Sequence, residues 1–331
     1  MYKVISTFSG GGGSSCGYKL AGCNVIAAVE FLENQAKTYR ANNPNTKLYV
    51  DDIRNIDCKT LMTDLNLKVG ELDILDGSPP CSSFSTAGKR HELWGKEKQY
   101  SSKVQRTDDL FFEYIRFVRE LQPKVFVAEN VSGLIKGSSK GMFNIFFKAF
   151  KDCGYKVKAK VLNASNYGVP QIRQRVFFVG VRNDLNIEPS FPIPQKEKIN
   201  LLTAFEGLEH TGAELKDADC SKYAIYQQLV PLKNGESSIK YFNLVKSSPF
   251  KPANTLTQSA KTLGAASICH WDNRKFTVKE AKRITSFPDD YILPGKYEDG
   301  IEACGRSAPP LMMKAIAENI QKNILGKIKH G

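Results

Sequence analysis

The 331-residue sequence contains no apolar run approaching the roughly 20 residues that a membrane-spanning helix requires. It contains no Cys-x-x-Cys pair. Its eight cysteines, at positions 16, 23, 58, 81, 153, 220, 269 and 304, are scattered, which makes a poor zinc site and a poor disulfide framework. Only four histidines occur, none spaced with a Cys or Glu for metal, so no metal is expected. The first six residues read as a strand and not as a cleavable leader, and neither internal repeats nor low-complexity tracts are visible. These absences point to an intracellular globular chain whose cysteines are mostly small core residues, with room for one that does chemistry. The composition, 41% hydrophobic and 24% charged, excludes disordered and fibrous classes. Positive charge is in excess: 47 Lys+Arg stand against 34 Asp+Glu, a formal +13 that suits a polyanionic partner.

Strand-like and helix-like segments alternate through the first 182 residues. Apolar runs at 4–8, 25–29, 48–50, 72–75, 125–128 and 176–181 read as strands. Leu110, Phe111, Tyr114, Ile115, Val118 and Leu121 recur every three or four positions, as one helix face requires. This alternation predicts an α/β fold with a doubly wound, mostly parallel sheet covered on both faces. Such sheets bind ligands beyond the carboxyl ends of their strands, where Glu30, Asp52, Asp76 and Glu129 fall. Residues 183–271 are loop-rich, with prolines at 189, 192, 194, 231, 249 and 252, and read as an inserted unit. Helical spacing returns at Val278, Ala281 and Ile284, and Pro309-Pro310 opens a last helix.

The first strand runs into four glycines, Gly10 to Gly13. The dinucleotide fingerprint G-x-G-x-x-G fails, because Ser15 follows Gly10 and Gly12, and Cys16 follows Gly11 and Gly13. The triphosphate loop fails too, since Tyr18 stands where a lysine is needed. What survives is a cradle for an adenosine-type ligand without a diphosphate, Glu30 accepting from its ribose hydroxyls. A purely structural turn fits the glycines as well.

Asp76-Gly77-Ser78-Pro79-Pro80-Cys81-Ser82-Ser83-Phe84-Ser85 follows a strand directly. Two prolines stiffen the backbone before Cys81 and hold its thiol at the sheet edge, where nearby cations would lower its pKa. Glu129 ends another strand, and Arg173 and Arg175, one residue apart, point the same way at the entry to the next. A nucleophile, a carboxyl acid and two fixed cations would then meet on one edge. Singly, each has an ordinary structural reading; their order and spacing are what chance does not supply.

The sequence closely resembles the DNA cytosine-5 methyltransferases over nearly its whole length. Phe8-Ser9-Gly10-Gly11-Gly12-Gly13 resembles that family's cofactor loop and Pro80-Cys81 its nucleophile motif. Glu129-Asn130-Val131, Gln171-x-Arg173-x-Arg175 and the stretch 274–290 match three further signatures. The resemblance implies a Rossmann-like methyltransferase sheet, with residues 1–182 plus 273–331 forming the catalytic, cofactor-binding domain and 183–272 a smaller target-recognition domain. It also implies S-adenosylmethionine as cofactor, double-stranded DNA as partner, and a flipped cytosine attacked by Cys81. Glu129 would act at ring nitrogen 3, Arg175 at the carbonyl oxygen, and Arg173 would orient Glu129 and the loop. Phe8, Gly11, Gly13, Glu30, Phe31, Asp52, Ile53, Ser78, Pro80 and Leu110 would line the cofactor pocket, with Arg306 and Ser307 beside its reactive end. Residues 82–106 would form a mobile loop over DNA. This loop carries six basic residues against two acidic ones, with Ser85, Lys89, Arg90, Lys96, Lys103 and Arg106 as expected contacts. A cytoplasmic monomer, bacterial or phage-encoded and working with a cognate restriction endonuclease, completes the expectation.

One departure stands out. Where the family carries Gly-Asn-(Ser/Ala)-(Val/Ile)-Pro, this chain has Gly305-Arg306-Ser307-Ala308-Pro309. A guanidinium beside a sulfonium is unfavourable and calls for an anion. Arg306 either turns away to solvent or DNA phosphate, or pairs with the carboxylate of carboxy-S-adenosylmethionine, making the product 5-carboxymethylcytosine; an inactive chain is a further reading. Transfer to RNA cytosine is a rival activity, against which the long insert argues. A non-catalytic DNA-binding homologue is another, against which the retention of Cys81 and Glu129 argues.

Overall fold

The structure, a computed structural model, describes residues 1–80, 109–135, 140–241, 243–264 and 267–328, with the backbone of 98–100 and 103–105. Seven strands form the central sheet: β1 (Lys3–Thr7), β2 (Asn24–Glu30), β3 (Lys47–Val50), β4 (Ile74–Gly77), β7 (Val125–Val131), β8 (Tyr155–Asn163) and β9 (Gln174–Arg182), in the order β3-β2-β1-β4-β7-β9-β8. The first five in that order are parallel, whereas β9 runs antiparallel to both β7 and β8. The short strands β5 (Lys98–Tyr100) and β6 (Lys103–Gln105) pair antiparallel outside the sheet.

The sheet is buried on both faces because successive strand residues point opposite ways. Ile5, Val29, Leu75, Phe126 and Phe178 pack on one side with Leu61 of α3 (Cys58–Asp64), Phe111 and Tyr114 of α4 (Leu110–Leu121), and Phe146 and Phe150 of α5 (Lys140–Asp152). Their neighbours Val4, Ile74, Val127, Phe177 and Val179 pack on the other side with Tyr18 of α1 (Gly13–Leu20) and with Met312, Ile316 and Ile320 of α11 (Pro310–Asn323). Each such side chain contributes about 1.5–3 kcal/mol on burial. The helix α2 (Glu33–Asn42) follows β2. β8 alternates Lys156, Lys158 and Lys160 with Val157 and Ala159, a pattern without an apolar run, which is why the sequence did not announce it.

The described residues between 183 and 272 form three short α-helices, α6 (Leu201–Ala204), α7 (Gly212–Ala218) and α8 (Tyr226–Leu229), two 3-10 turns and a two-stranded sheet of β10 (Val245–Lys246) and β11 (Ile268–Cys269). Cys220, Leu229, Leu244, Leu263 and Cys269 form a buried cluster wholly inside this segment. Leu201, Val245, Leu256 and Ile268 instead pack with Phe276, with Ala281 and Ile284 of α9 (Val278–Ile284), and with Cys304 of α10 (Tyr297–Arg306). The seven described cysteines are buried and unlinked; Cys81 lies outside the described residues. Among the described residues no helix is long and apolar enough to cross a membrane, and no cluster of His, Cys, Asp or Glu could hold a metal.

Candidate active site

A cavity of about 350 Å³ opens where the parallel strands end. Its wall follows the sheet order: Asp51 and Ile53 after β3, Glu30 to Leu32 at β2, Phe8 and Gly10 after β1, Ser78 to Pro80 after β4, and Glu129 to Val131 at β7. Val29, Leu110, Gln35, Arg173, Arg175, Thr257, Gln258, Gly305 and Arg306 complete it.

The glycine turn is made by backbone conformations that few side chains adopt. Gly12, the residue preceding α1, has φ 94°, and even Phe8 is held at φ 53°. Gly10 N–H donates to Glu30 Oε2 at 2.7 Å and Leu32 N–H to Glu30 Oε1 at 2.8 Å. Burial pushes the Glu30 carboxyl up, and these amides, with the charge of Arg306, oppose that rise. Gly13 does different work: a Cβ there would overlap the Ala308 carbonyl, so its bareness lets α1 approach the segment before α11.

Ser78, Pro79 and Pro80 face the cavity, and Asn130 Nδ2 donates to the Pro79 carbonyl at 3.2 Å, pinning the chain two residues before Cys81 in the sequence. Glu129 sits two residues inside β7, not at its end, and Arg175 Nε lies 2.9 Å from its Oε1. Arg173 goes elsewhere. It is buried, with Nη1 donating to the carbonyls of Leu256 and Gly305 and Nη2 to Gly305, while its Nε has no partner among the described residues. Burial first, and then the charge of Arg175, push the Arg173 guanidinium down to about 9. It therefore braces the 256 segment against the carboxyl end of α10, a helix terminus that favours a cation. Its influence on Glu129 is through charge, without a hydrogen bond between them among the described residues.

Arg306, the last residue of α10, lines the cavity, and its Nε donates to Glu302 Oε1 at 2.9 Å; Lys261 reaches Glu302 Oε2 at 2.7 Å. Of the other expected cofactor contacts, Phe8, Glu30, Phe31, Ile53, Ser78, Pro80 and Leu110 line the cavity. Gly11, Gly13, Asp52 and Ser307 are not in its wall. The Asp52 carboxylate is engaged by Arg54 at 2.8 Å, leaving the adjacent Asp51 at the cavity, and Ser307 Oγ donates to Ala303 at 2.7 Å. Asp76 is also withdrawn, accepting from Ser6 Oγ and Tyr18 OH inside β4. The sequence reasoning gave no role to Asn130, Gln35, Asp51, Thr257, Gln258 or Glu302. Asn130 stands in the Glu129-Asn130-Val131 motif, the signal that could have found it; Thr257 and Gln258 come from the inserted segment, and nothing local marks them. Ser85, Lys89, Arg90, Lys96 and Arg106 lie outside the described residues, as does the side chain of Lys103.

A family model described as C-5 cytosine-specific DNA methylase matches residues 2–322. The chain belongs to this family. It is 33% identical to the type II methyltransferase M.DdeI of Desulfomicrobium norvegicum, an alignment covering 96% of this chain and 88% of that one. It is 31% identical to the type II methyltransferase M1.HphI of Haemophilus parahaemolyticus, over 96% and 86%. In fold it is similar to an E. coli prophage chain described as a DNA modification methyltransferase, with TM-score 0.78 and 22% identity over 98% and 100%. It is likewise similar to the Dnmt2 methyltransferase of S. pombe, with TM-score 0.71 and 16% identity over 97% and 99%. Membership of the family supports methyl transfer to cytosine with S-adenosylmethionine as the family's donor.

Proposed function

We propose that this protein, bacterial or phage-encoded, methylates carbon 5 of a cytosine flipped out of double-stranded DNA in the cytoplasm, beside a cognate restriction endonuclease. The observation that carries the reading is the Glu129–Arg175 pair in the wall of a cavity that also includes Glu30 and Pro80, the residue before Cys81.

The cavity residues fit S-adenosylmethionine. A buried carboxylate at Glu30 suits ribose hydroxyls, Phe31, Ile53 and Leu110 offer an apolar bed for a purine, and of the cavity-lining residues Gln35 Oε1 and Arg173 Nε are buried without a hydrogen-bond partner among the described residues. When bound, the donor supplies an electrophilic methyl on a cationic sulfur. The protein's own part is to make carbon 5 a nucleophile. Cys81 adds to carbon 6; Glu129 holds a proton or hydrogen bond at nitrogen 3; Arg175 donates to the carbonyl oxygen and stabilises the charge that addition develops. Loss of the carbon-5 proton after transfer expels Cys81. A stacked base is out of reach of such groups, so the cytosine must leave the duplex, and residues 183–272 would select it.

For the donor, the pairing of Arg306 with Glu302 and its attraction to Glu30 favour the ordinary compound, because carboxylates already present balance its charge. The test supplies duplex DNA or transfer RNA with S-adenosylmethionine or carboxy-S-adenosylmethionine and weighs the digested nucleosides. The expected product is 5-methylcytosine in DNA. 5-Carboxymethylcytosine would replace the donor in this reading, a product confined to RNA would replace the substrate, and no product would overturn the reading. A cytosine bearing fluorine at carbon 5, which cannot be lost as a cation, should leave the protein covalently joined to DNA, and Cys81→Ser should abolish that adduct.

A further inference from the structure

Gln35 occupies the third position of α2, with 2% of its surface exposed, and lines the cavity. Among the described residues its carboxamide oxygen is buried without a hydrogen-bond partner. It packs against the glycine turn: a Cβ on Gly11 would lie 3.3 Å from Gln35 Oε1, 3.2 Å from Thr38 Cγ2 and 3.6 Å from Ala303 Cβ. The protein thus encloses a polar amide between α2, the turn after β1 and α10, where apolar residues would pack without cost. Buried polar groups left unpaired in a folded chain are rare enough to need an explanation. A ligand group is the explanation that this wall offers.

The sheet order says which end of the ligand that group belongs to. Glu30 ends β2, Asp51 and Ile53 follow β3 on one side of it, and β1, β4 and β7 lie on the other side with Glu129 at the far end. A ribose on Glu30 puts the purine toward β3 and the reactive sulfur toward β4, where the methyl must meet the base. The amino-acid tail branches from that sulfur and therefore falls to the turn after β1. Gln35 stands against that turn.

We infer that Gln35 recognises the amino-acid end of the methyl donor, its carboxamide oxygen accepting from the α-ammonium and its NH₂ donating to the α-carboxylate. One amide serves both halves of a zwitterion, which neither a carboxylate nor an ammonium side chain does. This inference rests on the proposed use of S-adenosylmethionine.

Calorimetric titration of the whole protein with two ligands separates the possibilities. S-Adenosylhomocysteine carries the amino-acid tail; 5′-methylthioadenosine has the same adenosine and thioether without it. In Gln35→Met, S-adenosylhomocysteine should bind about tenfold more weakly, equivalent to about 1.4 kcal/mol, while 5′-methylthioadenosine changes less than about twofold. Gln35→Glu should lose affinity for S-adenosylhomocysteine further, since a carboxylate repels the α-carboxylate. The melting temperature of unliganded Gln35→Met should equal or exceed that of the parent, because the amide it removes has no partner for its oxygen among the described residues. Equal weakening of both ligands would assign Gln35 to packing or to the adenosine, and no weakening of either would remove it from the site; both outcomes overturn the inference. A parent protein that binds neither ligand overturns the proposed function itself, and the inference with it.

Discussion

Arg175 Nε lies 2.9 Å from Glu129 Oε1, although the two residues do not face each other on the β7–β9 ladder: Arg175 is opposite Val131, and Glu129 is opposite Phe177. The contact is diagonal, between residues whose side chains share a face. The side chains are 17% and 12% exposed, so each charge is largely cut off from water and depends on the other.

Removing either member should therefore injure catalysis and stability separately. Glu129→Gln keeps the shape and hydrogen-bonding capacity but loses the acid, and turnover should fall by about 10²–10⁴-fold. Arg175→Ala should lower turnover comparably and also lower the melting temperature, because it strands a largely buried carboxylate. Single-turnover methylation and thermal melts read the two effects. Glu129→Gln with full activity would remove the acid from the mechanism.

Glu302 is expected to act on donor binding without touching the reacting atoms. Glu302→Gln leaves the Arg306 guanidinium less balanced beside a cationic donor, and the Kd for S-adenosylmethionine should rise about tenfold, the equivalent of about 1.4 kcal/mol. Arg306→Asn in the same background should restore it, and the uncharged S-adenosylhomocysteine sulfur should show a smaller effect. Additive losses in this double-mutant cycle would mean that the two residues do not act on one another.

Asp76 gives a pH dependence of stability. Burial raises its carboxyl from 3.8 to about 7, opposed by hydrogen bonds from Ser6, Tyr18 and Ser14. A folded-state pKa above the unfolded one means that the folded chain binds the extra proton, so the contribution is full below 3.8 and is lost as pH rises through about 7. Asp76→Asn, permanently neutral, should escape that loss. Its melting temperature relative to the parent should climb between pH 5 and pH 8; a constant difference would show that Asp76 is ionised throughout.

Gly13→Ala tests the junction between α1 and the segment before α11. Its Cβ would overlap the Ala308 carbonyl, a backbone atom that cannot rotate away. The expected loss is about 1–3 kcal/mol, read as a lower urea midpoint with an unchanged slope. An unchanged midpoint would show that the junction yields freely.

Much of the fold was legible because apolar runs and helical spacing state burial directly. The runs before Gly10, Glu30 and Asp76 became β1, β2 and β4, and the Leu110 to Leu121 face became α4. The edge strand β8 escaped, since its alternating lysines look like solvent-exposed loop. At the site, the local motifs named Glu30, Pro80, Glu129 and Arg175, all of which line the cavity. They could not separate Asp51 from Asp52, because which of two adjacent carboxylates Arg54 captures depends on a contact made in space.

The chain's own order of residues determined a three-layer sandwich, a glycine turn after the first strand, and a set of chemically apt side chains near strand ends. The direction of β9 was decided only by tertiary structure. Arg173 and Arg175 flank Gln174, the first residue of that strand, and a parallel β9 would have carried them to the edge opposite the cavity. Because β9 runs antiparallel to β7, its beginning lies beside the end of β7, and Arg175 meets Glu129. Strand direction follows from how β8 and β9 pair and pack on the sheet edge, a long-range balance of hydrogen bonds and burial that no local pattern encodes.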